Sequence, residues 1–338
     1  MAIGISGYGV AVPRLRVKKE DYAKAWGSFR AAGVKEKSVM GFDEDVLTMA
    51  AKVSRRALSS VPIAADKVTR FVFASTSAPY VEKLLSGTVI TSLGVPNRAF
   101  VSDHTTSSRA GTEAIVAGVE HMKSNPAGCA VVAVADAPKA SMWTSLEHGL
   151  GAGAAGFVLS SENLVAEIEG HASYACEHFG ERFKPEDDDL IRDLEVRKFA
   201  QSSLVGTTTK AATALMSELG AKPDDYTHVV IQQPNARAPA TIAKKLGIAD
   251  AKLASGSVVA EVGDLGAASV PLGLAAALDS AQTGDRILAV SYGSGAASDA
   301  ISLKVVGDRK ANPSVRSEID RKEYIDYVQY LKLKGAIR

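Results

Sequence analysis

A chain of 338 residues, 46% hydrophobic and 23% charged, can bury one large core or two fused ones, which excludes the fibrous and disordered classes. A formal net charge of +1, with no basic stripe interleaved with aromatics, argues against nucleic acid or an anionic membrane as partner. Cys129 and Cys176 are too few and too separated for a disulfide framework or a zinc site. No apolar run approaches membrane-spanning length and the N-terminus lacks the layout of a signal peptide, so a soluble cytoplasmic protein with no metal is expected.

In chain order, Ile3–Val12 reads as a strand ended by Pro13, and Asp43-Glu44-Asp45 opens a helix with Val46, Ala50, Val53 and Ala57 on one face. Arg70–Ala74 is a short buried strand, followed by a loop containing Thr76, Pro79 and Gly87. Next comes the hydroxyl-rich turn SDHTTSSRAGTEAI (Ser102–Ile115), where a helix is predicted to begin near Arg109 with Ser107 or Ser108 as its N-cap. Cys129–Ala135 reads as a buried strand that packs the Cys129 thiol, and the glycine-rich run Gly149–Ser160 turns a corner into another strand. Glu177–Phe199, with the acidic run Glu186–Asp189, reads as a solvated linker. Tyr324, Tyr327, Val328 and Leu331 recur at helical spacing within Asp320–Leu333, which reads as a docking segment with one apolar face, contacting its own body or a partner.

The second half repeats the first. Asp66-Lys-Val-Thr-Arg-Phe-Val-Phe resembles Asp224-Asp-Tyr-Thr-His-Val-Val-Ile, and the helix at Gly111 and Gly118 resembles the one at Gly266 and Gly273. Gly128 before CAVVAVAD matches Gly284 before DRILAVSYG, with a looser match between Gly153-Ala-Ala-Gly-Phe-Val-Leu and Ala297-Ser-Asp-Ala-Ile-Ser-Leu. A period of roughly half the chain predicts two fused copies of one α/β unit rather than a solenoid. The halves are expected at 1–165 and 166–305, with a C-terminal docking extension at 306–338, and a pocket is expected where equivalent helix starts converge.

A helix start offers free N–H groups and the positive end of the helix dipole, where an enzyme would seat a nucleophile. Ser108 holds that seat and reads in two ways: as a plain cap, or as an acyl acceptor. The second needs a general base, normally His, because a free hydroxyl stays protonated at neutral pH. His104 is the nearest in sequence.

In combination, GYGVAVPRLRV, GFDEDVLTMA, STSAPY, SSRAGT, GAGAAGF, IQQPN, GDLGAAS, PLGLAAALD and YIDYVQYLK resemble the archaeal and bacterial 3-hydroxy-3-methylglutaryl-CoA synthases of the thiolase superfamily over nearly the whole chain. The resemblance implies a five-layered αβαβα fold from two duplicated α/β halves, a homodimer and acyl-CoA substrates reached through a pantetheine tunnel. It also implies, for some members, a complex with a thiolase and a bridging zinc-ribbon/OB-fold protein. The family's nucleophilic Cys falls on Ser108, its Glu on Thr76, its second-half His on Gln232 and the Asn of its last loop on Asp264, so all four positions depart from the pattern. Arg237, Lys244 and Lys245 fall where the family binds the phosphates of coenzyme A; surface solvation is the plain reading of each.

Ser, Thr and Gln keep hydrogen-bonding character but do not ionise near neutral pH, and losing acid–base help alone costs about 10²–10⁴-fold in rate. The same replacements are similar to those in the non-catalytic synthase-like subunit of the bacterial diacetylphloroglucinol acyltransferase complex. The expectation is therefore a catalytically degenerate, assembly-organising subunit of an acyltransferase or thiolase complex, with no covalent cofactor. The alternatives are a Ser108-dependent acyltransferase or condensing enzyme, and a retained coenzyme A pocket that senses or relays substrate.

Overall fold

The structure is a computed structural model that describes residues 1–142, 144–177, 182–185, 187–188, 190–194 and 201–337. Strand β1 is Gly4–Ala11, stopping before Pro13 as expected, and is followed by β2 (Leu15–Lys18), α1 (Lys19–Trp26) and β3 (Glu36–Val39). Helix α2 (Val46–Ser59) starts where Asp45 accepts the Thr48 N–H at 2.7 Å and Thr48 Oγ1 accepts the Asp45 N–H at 2.8 Å, a reciprocal cap worth about 1 kcal/mol. Its buried face is Val46, Met49, Ala50, Val53 and Ala57. Then come β4 (Val68–Ala74), α3 (Ser86–Leu93), β5 (Phe100–His104), α4 (Ala110–Ser124), β6 (Cys129–Asp136), α5 (Ser145–Gly149) and β7 (Gly153–Ser160). The loop expected between Ala74 and Ser102 in fact holds α3 and β5.

The chain continues with β8 (Ala166–Ala175), α6 (Gly206–Glu218), β9 (His228–Ile231), α7 (Ala238–Leu246), α8 (Val259–Val262), α9 (Ser269–Ser280), β10 (Arg286–Val290) and β11 (Ala297–Val305). It closes with α10 (Val315–Asp320), β12 (Glu323–Tyr324) and α11 (Tyr327–Leu333). Glu186, Asp189 and Phe199 of the expected acidic linker lie outside the described residues.

Nine strands form one mixed sheet in the order β5-β4-β6-β7-β1-β8-β11-β10-β9. From β1 outward the pairings run antiparallel to β7, antiparallel to β6, then parallel to β4 and β5. From β8 outward they run antiparallel to β11, antiparallel to β10, then parallel to β9. The repeated stretches of sequence thus fall on equivalent strands, β4 with β9, β6 with β10 and β7 with β11.

Strand alternation sorts side chains into layers. Phe71, Phe73, Val131 and Ala133 pack with α2 and α3, whereas Val72, Val132 and Val134 face α4 and α9. That central cluster also takes Ile287, Ala289, Ile301 and Leu303 from the other end of the sheet, whose outer face packs α6 and α7 through Val229, Ile231, Leu288 and Val290. The result is the helix–sheet–helix–sheet–helix layering, with α4 and α9 sandwiched in the middle.

A separate three-stranded sheet, β12-β2-β3, carries α1 and α11. The stretch Asp320–Leu333 is not one helix, because β12 pairs with β2 before α11 begins at Tyr327. Its apolar face docks on its own chain: Tyr327 and Tyr330 are buried against Tyr22 and Val17, while Val328 is exposed.

Candidate functional site

The starts of α4 and α9 meet. A Cβ on Gly111, in the first turn of α4, would overlap the Ala267 carbonyl oxygen, so the close approach requires glycine there. The turn Leu265–Ala268, which leads into α9, collects three of the four expected site residues. Gln232 follows β9 and donates from Nε2 to the Gly266 carbonyl at 3.1 Å. Asp264 Oδ1 accepts the Gly266 N–H at 3.0 Å, and Oδ2 accepts from Arg182 Nη1 at 2.8 Å. Thr76, in the loop after β4, sits beside Gly266, whose φ of +54° and lack of a Cβ leave room for the Asp136 carboxylate.

Asp136 is the residue that sequence reasoning missed. It is fully buried at the end of β6 and accepts from Thr76 Oγ1 at 2.7 Å, Ser77 Oγ at 2.5 Å, Ser75 Oγ at 3.3 Å and the N–H groups of Thr76, Ala137 and Ala267 at 3.1, 3.1 and 2.7 Å. One carboxylate thereby ties the loop after β4 to the turn before α9. Its signal in the sequence is an acid closing the otherwise apolar run CAVVAVA, but Thr76 and Gly266 lie too far away in sequence to identify it.

Ser108 precedes α4, whose N-cap is Arg109 rather than a serine. Instead of capping, the Ser108 hydroxyl donates to the Tyr292 carbonyl at 2.8 Å, and Ser107 Oγ meets the Arg109 N–H only at 3.4 Å. Helix α4 is pinned to the other half through Asp299, which receives Arg109 Nη1 at 2.8 Å, Thr112 Oγ1 at 2.9 Å and Ser173 Oγ at 2.7 Å. His104 does not turn to Ser108; its Nδ1 faces Glu113 at 3.4 Å, and that hydrogen bond, helped by Arg109, holds the Glu113 carboxyl below its usual range against the effect of burial. Burial pushes the Cys129 thiol up to about 12, so it is a packed thiol and no substitute nucleophile.

Gln233, beside Gln232, is structural: Nε2 donates to the Gly256 carbonyl at 2.7 Å, and Oε1 accepts the N–H groups of Val258 and Val259 at 3.0 and 3.1 Å. Arg237 is exposed at the N-cap of α7, while Lys244 and Lys245 are exposed in the last turn of that nine-residue helix. Helical rise places the lysine pair about 10 Å from Arg237, so the three do not form one cluster. Among the described residues no group of three or more His, Cys, Asp or Glu is placed to hold a metal ion, and no helix is long and apolar enough to cross a membrane.

This layering, with a central helix pair whose starts converge on a polar site, defines a thiolase-like α/β protein. PksG, a 3-hydroxy-3-methylglutaryl-CoA (HMG-CoA) synthase from Bacillus subtilis, superposes with a TM-score of 0.88 at 20% identity, covering 100% of this chain and 90% of its own. An HMG-CoA synthase complexed with CoA superposes at 0.86 and 17% identity, covering 98% and 90%. Residues 216–305 match the family profile for the C-terminal part of 3-oxoacyl-[acyl-carrier-protein] synthase III. The hydroxymethylglutaryl-CoA synthase of Archaeoglobus fulgidus is 33% identical over 99% of both chains, and that of Thermococcus gammatolerans 34% identical over 98% of this chain and 96% of its own. The chain belongs to the hydroxymethylglutaryl-CoA synthase family.

Proposed function

We propose that this chain is a catalytically degenerate member of its family, a subunit that organises an acyltransferase or thiolase complex acting on acyl-CoA or acyl-ketone substrates in the cytoplasm. One observation carries the reading: the Ser108 hydroxyl spends its proton on the Tyr292 carbonyl. A backbone carbonyl accepts a hydrogen bond but cannot take the proton away, so the oxygen is not activated. The other three positions support the same conclusion. Thr76 is bound to Asp136, Gln232 to the Gly266 carbonyl, and Asp264 is neutralised by Arg182.

A coenzyme A thioester fits this reading as a ligand, since two structural neighbours are described with CoA or HMG-CoA bound. Arg237 is the candidate phosphate contact, and Lys244 and Lys245 reach a phosphate only at the far end of α7. The partners in this reading are a second copy of the chain, a thiolase subunit and a zinc-ribbon/OB-fold protein bridging to it. For the second copy, β5 is an edge strand of the large sheet with Phe100 exposed, and Phe42 and Val81 are exposed large side chains of the same half.

The experiment is to express the chain alone and together with a thiolase and a zinc-ribbon protein encoded beside it, then to measure carbon–carbon bond formation or cleavage and co-purification. Activity only in the assembled complex, with the thiolase carrying the chemistry, agrees with the proposal. Robust activity of the isolated chain, abolished in Ser108→Ala, favours the serine-dependent acyltransferase instead.

A further inference from the structure

A cluster of positive charge lies far from the site described above. Lys52, Arg55 and Arg56 project from one face of α2, at i, i+3 and i+4, toward Arg309, Lys310 and Asn312 of the segment after β11, and together they line an open cleft of ≈ 610 Å³. Helix α9 separates the two places: it starts beside the site at Ser269, and Lys310 Nζ caps its far end by donating to the Leu278 carbonyl at 2.7 Å and to the Ala281 carbonyl. Twelve helical residues span about 18 Å, so the cleft is at the opposite end of the central layer.

Three of the arginines are held by backbone carbonyls. Arg309 Nη1 donates to the carbonyls of Ser6 and Asn163 at 2.6 and 3.1 Å, Arg55 Nη2 to Ser92 O at 3.3 Å, and Arg56 Nη1 to Val10 O. Arg56 is also paired with buried Glu318 at 3.2 Å. Among the described residues Lys52, Arg55, Arg309 and Lys310 make no ion pair, and no carboxylate lines the cleft. Asp279, an acid felt by Lys310, is half-buried, which raises its pKa, and its oxygens are taken by the Tyr8 hydroxyl and the Val315 N–H. In a chain whose net charge is +1, four cations without an ion pair around one concavity repel one another unless an anion joins them.

We propose that this cleft is a binding site for a soluble ligand bearing two or more phosphate charges, of the diphosphate class. Guanidinium forks suit phosphate oxygens, Ser59 and Asn312 supply neutral hydrogen-bonding groups at the rim, and the volume is in the range of small-molecule sites. The site is independent of the acyl site and of whether Ser108 reacts.

The test is titration calorimetry of the full chain with ADP, inorganic pyrophosphate and adenosine, on the wild type and on the Lys52→Gln/Arg55→Gln double variant, whose replaced side chains support no buried contact. ADP and pyrophosphate are expected to bind the wild type, more weakly as salt is raised, and at least tenfold more weakly in the double variant, with no binding of adenosine. Absence of binding to the wild type, equal affinity in the variant, adenosine binding as well as ADP, or capture on phosphatidylglycerol vesicles with no response to either phosphate compound would each overturn it. Circular dichroism and an elution volume matching the wild type would show that a loss of binding in the variant is not a loss of fold.

Discussion

At the scale of single residues, the site is defined by where protons and charges are held. Asp136 takes hydrogen bonds from three hydroxyls and three backbone N–H groups while fully buried, so removing it leaves several donors unmet at once. Asp136→Ala is expected to lower the unfolding free energy by about 3 kcal/mol or more, read by urea denaturation. A loss under about 1 kcal/mol would mean that Asp136 does not hold the loop after β4 to the turn before α9. Arg182→Met takes away the cation that pairs with Asp264, and because Arg182 is partly exposed its cost is set at about 2 kcal/mol, below that of a fully buried pair. The Asp264→Asn variant should tolerate the same change at Arg182 with about half that loss or less, a double-mutant cycle that isolates the pair. Motifs in the sequence pointed to Ser108, Thr76, Gln232 and Asp264, and the structure gathers the last three around Gly266. Asp136 and Arg182 were not legible, since their partners are brought to them only by tertiary folding.

At the scale of elements, local chemistry predicted what it controls. The Asp45 cap and the stripe Val46, Ala50, Val53 and Ala57 announce α2, and the apolar run at Cys129 announces β6. Helix α3 and strand β5 were hidden because Ser86–Leu93 is short, has no side-chain cap, and is anchored by Asp103 accepting the N–H groups of Leu85 and Ser86, a tertiary contact. The small β12-β2-β3 layer was hidden because its core is polar and aromatic. Lys37 lies beneath α11, bonded to Glu147 Oε1 at 3.2 Å and the Tyr330 hydroxyl at 3.1 Å, and Tyr22 donates to Glu147 Oε1 at 2.7 Å.

Burial lowers Lys37 from 10.5 to about 8, against the opposing pull of Glu147. Between those values the unfolded chain binds the proton that the folded chain has released, so unfolding free energy rises with pH from about 8 toward 10. Lys334, partly exposed and held down to about 7 by burial and by the charges of Lys37 and Lys139, acts in the same sense. Above the usual tyrosine value of 10.0 the trend reverses, because burial keeps Tyr22 and Tyr330 protonated in the folded state while the unfolded chain loses those protons. Denaturant midpoints at pH 8 and pH 10 should show the rise in the wild type and a smaller one in Lys37→Met. An unchanged rise in the variant would remove Lys37 as its source.

At the scale of the whole molecule, three pairs of stretches with matching sequence become equivalent strands of one sheet, and the equivalent helices α4 and α9 share the layer between its two ends. The repeat made this duplication legible, while the continuity of the sheet through the β1–β8 pairing depends on a join that no local pattern marks. The open edge at β5 carries the prediction about assembly. If the proposed dimer forms through that edge, Phe100→Asp shifts it to monomer in size-exclusion chromatography with light scattering, and a monomeric wild type or a dimeric variant would argue against it. The most direct check on the central claim is intact mass spectrometry of the isolated chain after incubation with acetyl-CoA and acetoacetyl-CoA. The account predicts an unmodified mass, and an acyl adduct that maps to Ser108 and disappears in Ser108→Ala would contradict it.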